Sequence, residues 1–246
     1  MIRNLVAISF LFWLCAFNSF GQFSKGMIRM EVAAMKMNGE DAPPEMASML
    51  GNMQVIVYSN GIIQKNVMSM MMMKNSTILD SKKDSVFLYM DMMGKKYLIA
   101  DQMNKANKDT IKDSPEQAIS VKEFPEDTKE ILGHVCKRVD LKMMVPSMGA
   151  EGGSNTANEI TIKTYVTKDL NFDPSFISQN NRTIKLDGTP LEFSMLMGTG
   201  SFQLELQMVA KELKAEINPD DLLPPSGNFK RYTMEEFQKE VSKMGR

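Results

Sequence analysis

Apolar and polar residues alternate with a period of two along most of this chain, interrupted by glycine, asparagine and aspartate. This is the pattern of a β meander. Gly26–Asn38 reads as the first strand, with Ile28, Met30, Val32 and Ala34 on one face and Met27, Arg29, Glu31 and Ala33 on the other. Met53–Ser59 and Ile62–Met73 follow, joined at Asn60-Gly61, a turn pair whose central positions favour positive φ. Shorter strands are expected at Ser76–Leu79, Val86–Met92 and Lys95–Ala100, the last two turning at Gly94. Ala118–Phe124 and Thr128–Ile131 read as short extended pieces, and Gly133–Met143 and Glu159–Thr167 as full strands. Arg182–Leu186 leads through Asp187-Gly188 into Leu191–Met197. Ser201–Ile217 is the longest candidate, with Phe202, Leu204, Leu206 and Met208 opposite Gln203, Glu205 and Gln207. Its end, Val209–Ala215, fits a helical period equally well.

Helices are few. Asp41, Pro43 and Pro44 open Glu45–Leu50, which stops at Gly51, and Met46, Met49 and Leu50 form its apolar stripe. Thr233–Met244 reads as a terminal helix with capping-box spacing between Thr233 and Glu236. Asp101–Pro115 and Asn218–Asn228 are polar loops, and residues 146–158 form a glycine-rich, flexible connection. Asp169, Asn171 and Asp173 have the opening spacing of a calcium loop. Pro174 stands where that loop needs glycine and Asn180 where it needs glutamate, so a turn or short helix is expected. The sum is a single mainly β (α+β) domain of antiparallel strands with a few short covering helices.

Composition adds a destination. Of 246 residues, 43% are hydrophobic and 24% charged, with a net charge of −1, which gives no electrostatic reason to expect nucleic acid. Met1–Gln22 carries Arg3, an apolar run Leu5–Phe17, then Ser19-Phe20-Gly21, the three parts of a secretory signal. Residues 1–21 are thus expected to be removed after Gly21. Residues 22–246 would remain as one β-rich domain, exported to the periplasm or outside the cell, with no transmembrane segment. The run is shorter than a spanning helix needs, and Leu14 before Cys15 disfavours a lipidation site. The mature chain keeps one cysteine, Cys136, so no internal disulfide is available, and whether that thiol is buried or reactive stays open.

Candidate chemistry concentrates in Ile131–Met143. On a strand, Val135, Val139, Leu141 and Met143 share one face and His134, Cys136, Arg138, Asp140 and Lys142 the other. His134 and Cys136 are then about 6–7 Å apart, but no third ligand or base completes a metal site or a catalytic pair. No Gly-x-Ser-x-Gly elbow or Walker-type phosphate loop occurs, so neither enzyme activity nor a cofactor is expected. The remaining signal is 25 methionines. If Ile62–Met73 is one strand, Met68, Met70 and Met72 share a face, and thioethers suit Cu(I). The plainer reading is that unbranched methionine fills irregular apolar space.

Several residues together resemble a known family. Gly26-x-Ile28-x-Met30-Glu31, Ile131-Leu132-Gly133-His134-x-Cys136-Lys137, Tyr165-Val166-Thr167-Lys168-Asp169-Leu170 and Gly188-x-Pro190-Leu191 are similar to motifs of the exported bacterial proteins grouped as domain of unknown function 4412. The tail, Asp220-Asp221-Leu222-Leu223-Pro224 and Phe229-Lys230-Arg231-Tyr232-Thr233, resembles that family's closing segment. The resemblance implies a LolA-like, lipoprotein-carrier type of fold: one strongly curved antiparallel sheet, an open half-barrel partly covered by short helices. It also implies an apolar concave surface for an acyl chain or hydrophobic peptide. The expected function is therefore non-enzymatic binding of a hydrophobic ligand or lipid. Met30, Val32, Val55, Val57, Leu204, Leu206 and Met208 are the candidate lining. The alternatives are an envelope assembly protein acting through protein contacts, and Cu(I) binding through Met68, Met70 and Met72.

Overall fold

A computed structural model describes residues 24–71, 73–102, 120–146, 157–177, 186–199, 202–233, 236–237 and 240. They form one curved, unclosed sheet of 13 strands. The first half comprises β1 (Lys25–Met37), β2 (Glu40–Asp41), β3 (Gln54–Asn60), β4 (Ile63–Met70), β5 (Met73–Asp80), β6 (Ser85–Met92) and β7 (Lys95–Gln102). The second comprises β8 (Ser120–Ile131), β9 (His134–Pro146), β10 (Ala157–Thr167), β11 (Thr189–Thr199), β12 (Phe202–Lys214) and β13 (Lys230–Tyr232). One helix, α1 (Pro44–Leu50), and two 3₁₀ turns, Pro174–Ile177 and Pro219–Leu222, complete the described elements.

The order is β13-β7-β6-β5-β4-β3-β1-β12-β11-β10-β9-β8, with β2 paired to β1. β1 lies centrally and joins two meanders, β3–β7 on one side and β8–β12 on the other. Directly paired residues share a face, so the register fixes both faces. One row of the inner face runs Val139–Thr164–Phe193–Met208–Val32, and the next carries Ala210, Met30 and Val55. Register shifts between Arg29 and Met30, and between Val32 and Ala34, put extra residues between β1 and β12 and bend the strands there.

The inner face is largely covered. Leu170, Phe172, Phe176 and Ile177 are buried in the same apolar cluster as Ile28, Met30, Val55, Val57 and Leu141. The Phe172 N–H bonds the Thr189 hydroxyl at 2.8 Å, and the Asp173 backbone bonds Gln64 of β4. Residues 170–177 therefore cross from β10 over the central strands. Met46 and Leu50 of α1 pack on the same cluster.

Charge occupies the outer face. Arg138 bonds Asp140 in a fork at 2.8 and 2.7 Å and reaches Asp127 at 3.2 Å, and the Tyr165 hydroxyl donates to Asp127. Lys129 bonds the buried Glu192, which also accepts from Gln207. The C-terminal segment lies over this face at β3 and β4, where Lys65 Nζ donates to the Leu223 carbonyl. Phe229 meets Tyr89 edge-on at 5.2 Å; β13 then pairs with β7 and Phe237 packs on Tyr97.

The mainly β, single-sheet expectation holds, with local corrections. Ile62–Met73 is two strands: β4 ends at Met70, which pairs with Met73 at the start of β5. A run of methionines carries none of the glycine or asparagine that normally marks such a turn. The two pieces around Pro125 are one strand, β8, with an irregularity between Phe124 and Thr128. Val209–Lys214 is strand, because pairing with β1 and β11 outweighs an ambiguous period. β13 is parallel to β7, where only antiparallel strands were expected. The capping box is present: Thr233 and Glu236 exchange side-chain-to-backbone hydrogen bonds, with helical residues at 236, 237 and 240. The expected signal segment, most of Asp101–Pro115 and residues 147–156 lie outside the described residues.

Candidate functional site

An open groove of about 530 Å³ indents the inner face at β8, β9 and the end of β10. Its floor is aliphatic: Val121 from β8, Val135 and Val139 from β9, Val166 from β10, and Leu186 before β11. Charged residues line it as well: Lys137 between Val135 and Val139 on β9, Glu123 opposite Val139 on β8, and Lys168, Asp169 and Asp187 after β10 and before β11. The period-two alternation of β9 places Val135, Lys137 and Val139 on one side of the strand. Val139 is nearly buried, whereas Val135 is 61% exposed and Val121 46% exposed. Val121 and Val135 thus leave apolar surface open to solvent at the two ends of one hollow, with the buried Val139 between them.

Local chemistry fixes the charged groups. Gly188 has φ +127, and a Cβ there would collide with the Thr167 carbonyl oxygen, so only glycine lets the entry to β11 press against the end of β10. That approach brings Asp187 onto Lys168, and the two form an ion pair. The hydrogen bond and charge of Asp187 push the Lys168 ammonium above its ordinary value. Asp169 is hydrogen-bonded to His134 Nδ1 at 3.0 Å, which ties this part of the groove to the β8–β9 hairpin. The groove thus offers aliphatic side chains interspersed with both signs of charge.

Cys136 points away from it. The thiol is buried on the outer face, and burial, reinforced by the Asp169 and Glu192 carboxylates, pushes it up to about 12. Such a thiol is protonated and unreactive at neutral pH. Around Asp127, burial by itself would raise the carboxyl. The Arg138 and Tyr165 hydrogen bonds outweigh it and hold the group below the usual carboxylate range. Among the described residues no cluster of three or more His, Cys, Asp or Glu side chains could hold a metal.

Of the residues read as cavity lining, Met30, Val55, Val57, Leu206 and Met208 sit in the core beneath residues 170–177, and Val32 and Leu204 are half-buried at its margin. Met68 and Met70 are half-buried against the same cluster, and Met72 lies outside the described residues. The groove floor uses valines that the alternation had assigned to an apolar face without distinguishing them from core. No local signal separates the two.

No family model matches this chain, and no curated protein does. Among solved structures it is similar to the lipoprotein LppX of Mycobacterium tuberculosis, at 8% identity and a TM-score of 0.31, over 79% of this chain and 89% of that one. It is likewise similar to LprF from Mycobacterium bovis, at 9% identity and a TM-score of 0.30, over 82% of this chain and 90% of that one. Among the described residues no helix is long and apolar enough to cross a membrane.

Proposed function

We propose that this protein binds a hydrophobic ligand with an acyl-like chain in the groove between β8, β9 and β10. The observation behind this reading is an open hollow of about 530 Å³ with Val121, Val135, Val139, Val166 and Leu186 in its wall, Val121 and Val135 being left exposed to solvent. That volume falls within the range of small-molecule sites. Each methylene buried there contributes about 0.8 kcal/mol, so a chain of ordinary fatty-acid length gains enough to be retained. Lys168 is held by Asp187, and Lys137 in the groove wall is the cation that suits an anionic head group. In this reading Met30, Val32, Val55, Val57, Leu204, Leu206 and Met208 extend the groove when residues 170–177 lift, Phe172 and Phe176 giving up their places to the ligand.

The sheet edge argues against strand addition as the main mode of partner contact. β8 is exposed along most of its length, but it carries Pro125, an irregularity and alternating charges such as Lys122, Glu123, Glu126 and Lys129. These are the devices that blunt an edge. The test is a titration of delipidated protein with a fluorescent fatty acid, alongside native mass spectrometry of protein purified from its own export compartment. Saturable binding displaced by unlabelled fatty acid supports the reading. A clean apo mass with no uptake overturns it.

A further inference from the structure

The methionines that pattern alone placed on one strand are regrouped by the fold. The β4–β5 and β6–β7 hairpin tips lie side by side at one end of the sheet, with Met70 paired to Met73 and Met73 to Met92. Direct cross-strand partners share a face at Cα separations of about 4.5–5.5 Å, within which long side chains meet. Met70, Met73 and Met92 therefore form one row. Met68 and Met90 flank it on the same face, both paired with Asn75. All five are half-buried. They are neither locked in the core nor fully in water.

The turns point the same way. Met71 has φ +31 and Met93 φ +54, in the left-handed region where glycine or asparagine is favoured, and they are 65% and 80% exposed. Neither turn geometry nor burial accounts for methionine at these two positions, so the residue type there needs another reason. A hollow of about 320 Å³ opens beside the β4–β5 tip, lined by Met70, Met71 and Met73 together with the polar Asn52, Ser69, Lys74 and Asp91. Soft, neutral thioethers gathered in one cross-strand row at a solvent-accessible sheet end are a ligand set for a soft monovalent cation, and they discriminate against Zn²⁺, Mg²⁺ and Ca²⁺.

We propose that the paired hairpin tips bind Cu(I), with Met70, Met73 and Met92 as the central thioethers and Met71 and Met93 as entry ligands. The site is distinct from the β8–β10 groove and depends on no titratable ligand. Coordination needs no deprotonation, so affinity should stay flat between pH 5 and 8, unlike that of a thiolate or imidazole site.

The experiment is an anaerobic Cu(I) titration of the full mature chain against a chromophoric Cu(I) chelator, with Ag(I) as a redox-inert parallel. Sulfur-shell X-ray absorption reads the ligands. One equivalent should bind with sulfur-only coordination, equally at pH 5.5 and pH 7.5. The combined variant Met70→Leu, Met73→Leu and Met92→Leu conserves volume and should keep the fold by circular dichroism, yet bind at least tenfold more weakly. Met27→Leu, far from the tips, and Cys136→Ser should change nothing. If the triple variant folds poorly, Met71→Leu with Met93→Leu, at exposed positions, should still weaken binding several-fold. No uptake, a nitrogen or oxygen shell, or affinity unchanged in both leucine variants overturns the proposal.

Discussion

The carboxamide of Gln64 holds the backbone of Asp173 by both its polar groups. Gln64 Nε2 donates to the Asp173 carbonyl at 2.8 Å, and Gln64 Oε1 accepts from the Asp173 N–H at 2.8 Å. One side chain on β4 thus completes the hydrogen bonding of a segment 109 residues later in the chain, and Nε2 also reaches Asn66. This fastens the middle of residues 170–177 to β4 across the inner face and keeps Phe172 and Phe176 over the core.

Gln64→Leu removes both bonds while keeping similar volume. It should lower stability by about 1–2 kcal/mol, the lower part of the range for lost buried partners because Asp173 is itself exposed. Urea unfolding measures this. Hydrogen exchange of the Phe172 and Asp173 amides should also accelerate well beyond the global change, and exchange that rises only in proportion to stability would mean the latch is not local.

Val135→Asp puts a carboxylate on the groove floor at an exposed strand position. Fatty-acid affinity should fall at least tenfold, while stability drops by under about 1 kcal/mol. Leu196→Asp, at another exposed position on a different strand, is the matched control and should leave binding intact. Equal loss in both variants would place the ligand elsewhere.

Burial of Cys136 makes two measurable differences. Iodoacetamide should leave the native protein unlabelled at pH 8 and label it rapidly in denaturant. The folded thiol titrates at about 12 against an ordinary value of 9.0. Between these two values the unfolded state has released a proton that the folded state retains. Stability is therefore full below about pH 9 and falls as pH rises toward 12. Cys136→Ala should flatten that part of the profile; Tyr165 and the other raised tyrosines keep a slope above pH 10 in both proteins.

The C-terminal segment guards a sheet edge. Ending the chain at Ser226 removes β13 together with Phe229 and Phe237, which pack on Tyr89 and Tyr97, and bares β7. Light scattering should show concentration-dependent association through the freed edge. Phe229→Ala alone keeps the strand and should cost only about 1–2 kcal/mol, with no association.

How much was legible differs element by element. The Asn60-Gly61 hairpin, the helix punctuated by Pro44 and Gly51, and the Thr233–Glu236 capping box were readable because each depends on contacts within a few residues. The turn at Met71 was not, since a methionine run carries no turn chemistry and only pairing with β5 reveals the reversal. β13 was missed because three residues alongside a parallel partner leave no periodic signal.

Val135 and Val139 show where the boundary lies. The same residue type, strand and face follow from alternation alone, since side chains reverse at every residue of a pleated backbone. Yet Val139 is 8% exposed and Val135 61%. What separates them is that Val139 belongs to the buried cluster that holds Leu170, Phe172, Phe176 and Ile177, and Val135 does not. The sequence by itself determined the strands, most of their turns and the two faces, all set by local backbone geometry. Only the tertiary structure decided which part of the apolar face became core, which became groove, and which methionines became neighbours. Those outcomes depend on contacts between residues far apart in the chain.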